Sequence, residues 1–285
     1  MYSWLLMSLI SGVFLGFYDI FRKKALEIIP LLNVLTLYTF FSFLLVSFDI
    51  VNALKIDKIS LLLVLLKSGV IFFSWIMGFI AIRGLPISVI TPFGTLTPVF
   101  TIILGIAVLG ERMLPLQVAG IAVIMASCYF IGETGSNEVE NLFRNKNLYI
   151  MAGGAILSSF SAIIDKFALR SANAGQVQFW FCLFLTLLYF PAMVLVKKRE
   201  NVKLTFKYSW YIPLMSIFLV LADRIYFTAV NIPESKISII LPLRMVSLFV
   251  SVIIGGVIFN ERNIKAKSLC VLLLIVGIIL IFINK

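Results

Sequence analysis

The sequence predicts an all-α integral membrane protein of ten transmembrane helices, arranged as a 5+5 inverted repeat. Three observations predict this fold. Hydrophobic residues make up 61% of the 285 residues and charged residues only 13%, whereas soluble domains are about 45–50% apolar and 25% charged. Ten apolar runs follow one another with polar connections between them. Two blocks of the first half recur in the second half.

The ten apolar runs set the predicted spans. About 20 apolar residues are needed to cross about 30 Å of hydrocarbon. The predicted helices, in chain order, cover residues 2–21, 31–51, 60–82, 86–109, 114–132, 148–167, 175–196, 209–230, 236–259 and 266–284. The first run lacks a basic leader and a small-residue cleavage site, so we expect a retained helix.

The connections between the runs are polar, and one of them falls at the middle of the chain. Arg22-Lys23-Lys24 is expected to be a short connection after the first helix. The central segment is longer and rich in Glu, Asn and Gly. The sequence therefore predicts a five-helix repeat at 1–132, a linker at 133–147 and a second five-helix repeat at 148–285.

Internal repetition supports the division into two halves. Residues 87–112 placed over 237–262 share eight identities, among them polar and proline positions that apolarity alone does not supply. These identities are Ile87/Ile237, Ser88/Ser238, Ile90/Ile240, Pro92/Pro242, Ile103/Ile253, Gly105/Gly255, Glu111/Glu261 and Arg112/Arg262. An odd number of crossings per half places the second half in the membrane upside down, so the repeats must be inverted.

A second block recurs between residues 11–26 and residues 154–169. Its identities are Phe17/Phe160, Ile20/Ile163, Lys23/Lys166, Ala25/Ala168 and Leu26/Leu169. Within it Gly12 and Gly16 align with Ala155 and Ser159, a small-xxx-small pattern that allows helix backbones to approach closely.

The residues of the first repeat resemble a known family. Ala81-Ile-Arg-Gly-Leu-Pro-Ile-Ser, Thr97-Pro-Val-Phe, Leu109-Gly-Glu-Arg and Gly120 are similar to the EamA-type domain of the drug/metabolite transporter superfamily. A second copy appears as Tyr226-Phe-Thr-Ala-Val to Asn260-Glu-Arg. The resemblance implies a ten-helix inverted repeat whose central cavity is lined mainly by helices 1–4 and 6–9. Leu248 stands where the first copy has Pro98, which departs from equal bending of the two halves.

Several function classes lose support from composition. The chain has no His, which removes the usual general base and metal ligand. Cys128, Cys182 and Cys270 lie inside apolar runs and are predicted to be packing residues. We expect no cofactor, no metal site and no enzymatic activity. The net charge of +11 lacks the basic stripe of a nucleic-acid-binding protein, so no nucleic acid is expected as a partner.

Two prolines within helices are candidate hinges. Proline leaves the carbonyl four residues earlier without its helical hydrogen bond, which frees Ser88 for Pro92 and Ser238 for Pro242. A static kink that shapes packing is the main alternative to a gate hinge.

Four charges lie at a similar depth inside predicted helices: Lys67, Asp223, Arg224 and Arg244. Ionised groups inside a bilayer are costly and usually face a protein interior or a wet cavity. Three cations and one carboxylate predict a substrate site for an anionic or zwitterionic molecule, with Arg224 and Arg244 as hydrogen-bonding forks. Tyr226 and Trp75, near the same level, would add stacking surface.

Each of these polar residues also has a structural interpretation. Lys67 can extend to the near interface, and Asp223 with one Arg can form a structural ion pair. Asp19 with Tyr18 can mark the end of the first helix. Glu111-Arg112 and Glu261-Arg262 fit hairpin structure, and Lys23 and Lys166 fit interfacial anchors.

A secondary transporter of the cell (plasma or inner) membrane is the leading functional hypothesis. Its expected partners are a small-molecule substrate and membrane lipids, with the protein a monomer or homodimer. A lipid-linked or drug flippase of the same fold is the alternative, and an intramembrane enzyme is a weaker one. The side opposite the termini carries about twice as many Lys and Arg residues, which places both termini outside. The family resemblance implies both inside.

Overall fold

The computed structural model describes residues 3–84, 96–133, 146–199, 209–251, 254, 258 and 264–283. These residues form ten helices and turns and contain no strand. The helices are α1 (Ser3–Ile28), α2 (Leu31–Ala53), α3 (Lys58–Gly84), α4 (Leu96–Leu109), α5 (Pro115–Glu133), α6 (Lys146–Ala168), α7 (Ala174–Arg199), α8 (Tyr211–Asn231), α9 (Ile237–Val250) and α10 (Ile264–Ile283).

Six of the described helices, α1, α2, α3, α6, α7 and α8, are long and apolar enough to cross a membrane. The apolar parts of α4, α5, α9 and α10 within the described residues are shorter. Large apolar side chains cover the outside of the bundle, with Phe48, Ile59 and Val51 each at least 70% exposed. An apolar outer surface is what lipid requires, so the prediction of an all-α, multi-pass membrane protein is confirmed.

Helix α1 is longer than predicted. Arg22, Lys23 and Lys24 lie inside it, so the expected connection at these residues is wrong. Arg22 pairs with Asp19 one turn earlier at 2.9 Å, and Lys24 pairs with Glu27 at 3.5 Å. The local ion pairs let the helix continue past the apolar run to Ile28.

Helices α2 and α9 are irregular in their second parts. Helix α2 is α-helical to Val46, passes through a 3₁₀ turn at Ser47–Asp49 and ends with Ile50–Ala53. Helix α9 consists of Ile237–Arg244 and Val246–Val250, separated by a turn at Met245. Pro242 lies three residues before that turn, and the Met245 amide donates to the Pro242 carbonyl at 3.0 Å. Pro92 and Ser88 lie outside the described residues.

The helices pack in pairs that are related by a shift of five in helix number. The largest contacts join α1 to α8 and α3 to α6. Further contacts join α1 to α9 and α4 to α6, and also α2 to α8 and α3 to α7. Three more of the larger contacts are α2–α7, α4–α9 and α5–α10, whereas smaller contacts such as α7–α8 fall outside this pattern. If each helix is exchanged with the one five positions away in the chain, so that α1 becomes α6 and α3 becomes α8, the larger pairs are preserved. The pair α1–α8 becomes α6–α3, for example, and α2–α7 stays the same pair.

Glycines allow the closest helix approaches. A Cβ added at Gly12 would lie 2.5 Å from Val246 Cγ1 and 2.7 Å from the Arg244 carbonyl oxygen. A Cβ at Gly16 would lie 2.7 Å from the Ser247 carbonyl oxygen. The predicted small-residue pattern of α1 therefore packs against α9 at its turn. In the second half, Ser159 uses the equivalent position to donate a 2.9 Å hydrogen bond to the Thr97 carbonyl of α4.

Candidate functional site

Five polar residues from four helices form one connected group inside the bundle. We call Lys67, Asp165, Asp223, Tyr226 and Arg244 the charge network. They belong to α3, α6, α8 and α9, and each contacts at least one other member. The sequence predicted four of these five residues, all except Asp165.

Lys67 and Asp165 form an ion pair that is almost completely buried. Each residue is 3% exposed, and Lys67 Nζ donates to Asp165 Oδ1. The ammonium also lies 4.1 Å from the ring centroids of both Phe181 and Phe227, where cation–π attraction adds to the ion pair. Lys67 therefore does not extend to the interface, which was one interpretation of its position.

Tyr226 connects this ion pair to Arg244. Its hydroxyl donates to Asp165 Oδ2 at 3.2 Å, and its ring lies under the Arg244 guanidinium, with Cζ 4.3 Å from the ring centroid. Tyr226 thus links the Lys67–Asp165 ion pair to Arg244.

Arg244 pairs with Asp223 at the end of the first part of α9. Arg244 Nη2 donates to Asp223 Oδ1 at 3.3 Å, and the side chains are 11% and 15% exposed. Arg244 Nε is buried and has no hydrogen-bond partner among the described residues. The guanidinium therefore keeps an unused donor next to a partly accessible ion pair.

Arg224 lies apart from the charge network. Adjacent helical residues point about 100° apart, so Arg224 leaves the face that carries Asp223. Arg224 Nη1 donates to Asp49 Oδ2 of α2 at 2.9 Å, with side chains 30% and 18% exposed. A Cβ at Gly175 would lie 2.6 Å from Arg224 Nη1, so this glycine makes room for the pair.

Two carboxylates alter the charge balance that the sequence predicted. Asp165 neutralises Lys67, and Asp49 neutralises Arg224. With Arg244 and Asp223, the three cations and three carboxylates balance. The sequence predicted an excess of positive charge at this depth in the helices, with three cations and one carboxylate. This prediction is wrong for the described residues.

Trp75 lies beside the network at a small cavity between α2, α3, α7 and α8. Its ring centroid is 5.8 Å from that of Tyr38 and 6.2 Å from that of Phe181. The cavity is lined by Tyr38, Thr39, Ser42, Trp75, Gln178, Phe181, Cys182, Leu185, Leu219, Val220 and Asp223. Asp223 belongs to both the cavity and the network, so the two are adjacent.

The remaining motif residues connect helix ends. Glu111 accepts hydrogen bonds from the Ile237 and Ser238 amides at 2.7 and 3.0 Å, and so caps the start of α9 from the preceding half. Lys236 Nζ donates to the Arg112 carbonyl. The hairpin that contains Glu111 therefore also connects the two halves. Glu261 and Arg262 lie outside the described residues.

Lys166 binds the chain between α8 and α9. Its ammonium lies 3.0 Å from the Val230 carbonyl oxygen and 2.8 Å from that of Ser235. It therefore donates to carbonyls at and just after the end of α8. A cation at a helix C-terminus is favourable because the carbonyls there lack helical partners.

Asp165 is the site residue that the sequence did not reveal. It lies three residues before the end of α6, where a charged side chain is usually explained by the interface. One signal was available, because Asp165 and Lys166 point about 100° apart and cannot both reach the same surface. When residues 154–169 are placed over 11–26, Asp165 falls on Arg22, so both segments carry a charge at this position.

The apolar exterior, the ten helices and the buried ion pairs define a helical multi-pass membrane protein with a polar interior. Residues 2–132 match the model of the EamA-like transporter family. This part, slightly less than half of the chain, is therefore similar to that family, which stands within the drug/metabolite transporter superfamily. The family match indicates a membrane transporter, and it confirms the predicted resemblance over the first five helices.

The fold has a solved counterpart. The fold of the chain is similar to that of a protein solved by crystallography, titled only "Crystal structure of protein". The TM-score is 0.81, the match covers 99% of both chains, and the sequence identity is 13%. At this identity the likeness concerns the fold alone. No curated protein matched the sequence.

Proposed function

We propose that the protein is a secondary transporter that moves a small anionic or zwitterionic metabolite across the cell (plasma or inner) membrane by alternating access. Its moving parts are two five-helix repeats, residues 1–132 and 148–285, joined by residues 133–147. The charge network carries this proposal. Ion pairs that are buried in a membrane are costly, and they are typical of substrate and ion pathways.

The exchange symmetry of the helix pairs supports an inverted repeat. The contact of Gly16 with Ser247 and the hydrogen bond from Ser159 to Thr97 occupy equivalent positions in the two halves. In transporters of this kind the substrate site lies between the repeats, and rocking of one repeat against the other opens it to each side.

Arg244 is the group best suited to bind an anionic part of the substrate. Lys67 is already neutralised by Asp165 and enclosed by two phenylalanine rings, so little of its charge is available. Arg244 keeps a free donor at Nε and is stacked on Tyr226, which orients the planar guanidinium. A guanidinium in this position can bind a carboxylate through two hydrogen bonds.

Pro242 and the turn at Met245 interrupt the hydrogen bonding of α9 directly beside Arg244. The carbonyl of Ser238 lacks its helical donor because of Pro242, and the Ser238 hydroxyl is buried without a partner among the described residues. We propose that α9 bends here when the site opens. Pro92 and Ser88 are proposed to act equivalently in the first half.

Replacement of Arg244 tests the proposed site. Arg244→Gln should abolish uptake in proteoliposomes of a compound that stabilises the purified protein. It should also lower thermal stability, because Asp223 is left buried without its partner. Arg244→Gln/Asp223→Asn should recover stability but not uptake. The control is Arg170→Gln, since Arg170 is exposed and its guanidinium packs on the Phe167 ring, 4.6 Å away, outside the charge network. Normal uptake by the stable double variant would refute this role of Arg244.

A further inference from the structure

Four connections between helices come together at one face of the bundle, where the two proposed repeats are bonded to each other. These connections are residues 54–57, 110–114, 169–173 and 232–236. The side chains of Asn52 and Asn173 exchange two hydrogen bonds of 3.2 and 3.1 Å. The hydroxyls of Ser60 and Ser171 are 2.7 Å apart. Polar bonds between residues 1–132 and 148–285 therefore hold this face together.

Glu111 of the first repeat holds the start of α9 in the second. Its two carboxylate oxygens accept hydrogen bonds from the Ile237 amide at 2.7 Å and the Ser238 amide at 3.0 Å. The first amides of a helix lack helical partners, and a carboxylate interacts favourably with the positive end of the helix dipole. Gly105 gives the contact its space, since a Cβ there would overlap the Ser238 hydroxyl and lie 3.0 Å from Glu111 Oε2. Both oxygens of this carboxylate are therefore used to join the two repeats.

Lys166 of α6 fixes the connection that Glu111 binds. Its ammonium donates to the carbonyls of Val230, Ile232 and Ser235 at 3.0, 3.2 and 2.8 Å, and it lies 2.7 Å from the Ser235 hydroxyl. An ammonium has three N–H donors, so these oxygens use its whole donor capacity. The chain that leads from α8 into α9 is therefore held in shape just before the residues that Glu111 binds.

The residues of this contact are continuous with those of the charge network. The first part of α9, Ile237–Arg244, begins at the contact with Glu111 and ends at Arg244, about 10 Å further along the helix. Lys166 directly follows Asp165, another member of the network, in α6. A movement of Arg244 or Asp165 that accompanies substrate binding would therefore also displace the residues that Glu111 and Lys166 bind.

We propose that Glu111 is a latch that closes this face between the two repeats, and that Lys166 positions the connection that the latch binds. The inference rests on the proposed function, since the latch has to release whenever the charge network opens to this face. Alternating access requires that each face closes and opens in turn as one repeat moves against the other. Hydrogen bonds from two backbone amides to a carboxylate suit a reversible closure, because both sides can exchange them for bonds to water.

A buried thiol behind the latch measures its opening. Ser238 is 0% exposed, and its hydroxyl has no hydrogen-bond partner among the described residues, so Ser238→Cys removes no described bond of this side chain. In a Cys128→Ser/Cys182→Ser/Cys270→Ser background, the rate at which a hydrophilic maleimide labels this thiol is measured in the purified protein. Glu111→Gln should raise the rate about tenfold, since one of the two amides then faces the side-chain NH2 group instead of an acceptor.

Lys166→Met tests the second part of the latch, and two controls accompany it. It should raise labelling of Ser238→Cys several-fold, because the carbonyls before α9 lose their donor. Glu27→Gln makes the same change of charge as Glu111→Gln in an exposed pair with Lys24 on its own helix, and it should leave the rate unchanged. Ser127→Cys detects general unfolding, since Ser127 is 0% exposed in α5. Unchanged labelling of Ser238→Cys in both latch variants, or an equal rise for Ser127→Cys, would overturn the proposal.

Cross-linking tests whether this face has to open during transport. In the same background, a short bis-methanethiosulfonate reagent should join the thiols of Asn52→Cys/Asn173→Cys. The linked protein should lose uptake in proteoliposomes of a compound that stabilises the purified protein, and reduction should restore it. Asn52→Cys alone, treated with the reagent, gives the uptake for comparison. Normal uptake by the linked protein would overturn the proposal.

Labelling and uptake together separate this inference from the proposed function. If the latch variants raise labelling of Ser238→Cys but no compound is taken up by proteoliposomes, the latch stands and the transport proposal fails. If a compound is taken up and the cross-link leaves its uptake unchanged, the transport proposal stands and the latch fails.

Discussion

At the residue scale, the interior of the bundle is organised by ion pairs that each join two helices. Lys67–Asp165 joins α3 to α6, Arg244–Asp223 joins α9 to α8, and Arg224–Asp49 joins α8 to α2. No cation among these three is left without a carboxylate. A buried ion pair gives little net stability over an apolar replacement, but loss of one partner is costly.

The Lys67–Asp165 pair gives the clearest prediction at this scale. Lys67→Met should lower the free energy of unfolding by about 3–5 kcal/mol, because Asp165 is left buried without its counterion. Lys67→Met/Asp165→Asn should recover most of this loss. Thermal or denaturant unfolding in detergent micelles measures both variants.

The double variant decides the interpretation. A deficit equal to or larger than that of Lys67→Met would show that the lysine contributes through packing between Phe181 and Phe227, and would contradict the charge-based explanation.

From the sequence we could predict which polar residues lie inside the bundle better than we could predict which of them pair with each other. Lys67, Asp223, Tyr226 and Arg244 were predictable because a charge or phenol in the middle of an apolar run must be buried or wet. Pair identity depends on the rotation of each helix about its axis and on which helices are neighbours, and neither follows from apolarity. Arg224 shows this, since depth alone grouped it with Asp223 and Arg244 whereas it pairs with Asp49, and Asp165 was not singled out at all.

At the element scale, small residues decide how closely the helices approach. Gly12 and Gly16 allow α1 to pack against the turn in α9, and Gly120 and Gly277 do the same between α5 and α10. A Cβ at Gly120 would lie 2.7 Å from the Gly277 carbonyl oxygen, and a Cβ at Gly277 would lie 2.7 Å from that of Gly120. Without a hydrophobic driving force between helices in lipid, such close packing is a main source of association.

Gly12→Ala tests this packing. The new methyl group would overlap Val246 and the backbone at Arg244, and we expect a loss of about 1–3 kcal/mol in unfolding free energy. Gly69→Ala is the matched control, because nothing lies within 4 Å of a Cβ at Gly69. It should be neutral or stabilising by up to about 1 kcal/mol, since alanine is the better helix former. Equal effects of the two substitutions in unfolding measurements would contradict the assigned close contact.

Six described helices that are long and apolar enough to cross a membrane were predictable from apolar length, whereas the ends of the helices were not. Helix α1 continues past its charged residues because Asp19 and Glu27 neutralise them locally, and run length carries no such information. The turn at Met245 follows from Pro242, but its position three residues later depends on the packing of Gly12 and Gly16 against it.

At the scale of the whole molecule, the proposed ten crossings place both termini on the same side of the membrane. Reporter fusions at the N-terminus and at the C-terminus should therefore report the same compartment. The charge distribution favours the outside for both. Opposite compartments for the two reporters would contradict ten crossings, and would mean that one of the shorter helices, α4, α5, α9 or α10, does not span the membrane.

The central claim is that the interior site is reached from both sides in turn. Cys182 is a native probe for this, because it is a free, buried cysteine in the cavity wall. The measurement is labelling of Cys182 by a membrane-impermeant maleimide, in a Cys128→Ser/Cys270→Ser background. Right-side-out and inside-out membrane vesicles are treated separately, and protein unfolded in detergent gives the value for complete labelling.

Alternating access predicts labelling of Cys182 in both vesicle orientations, slowed in both by a compound that stabilises the purified protein. Labelling in one orientation only, or in neither, would contradict alternating access at this cavity.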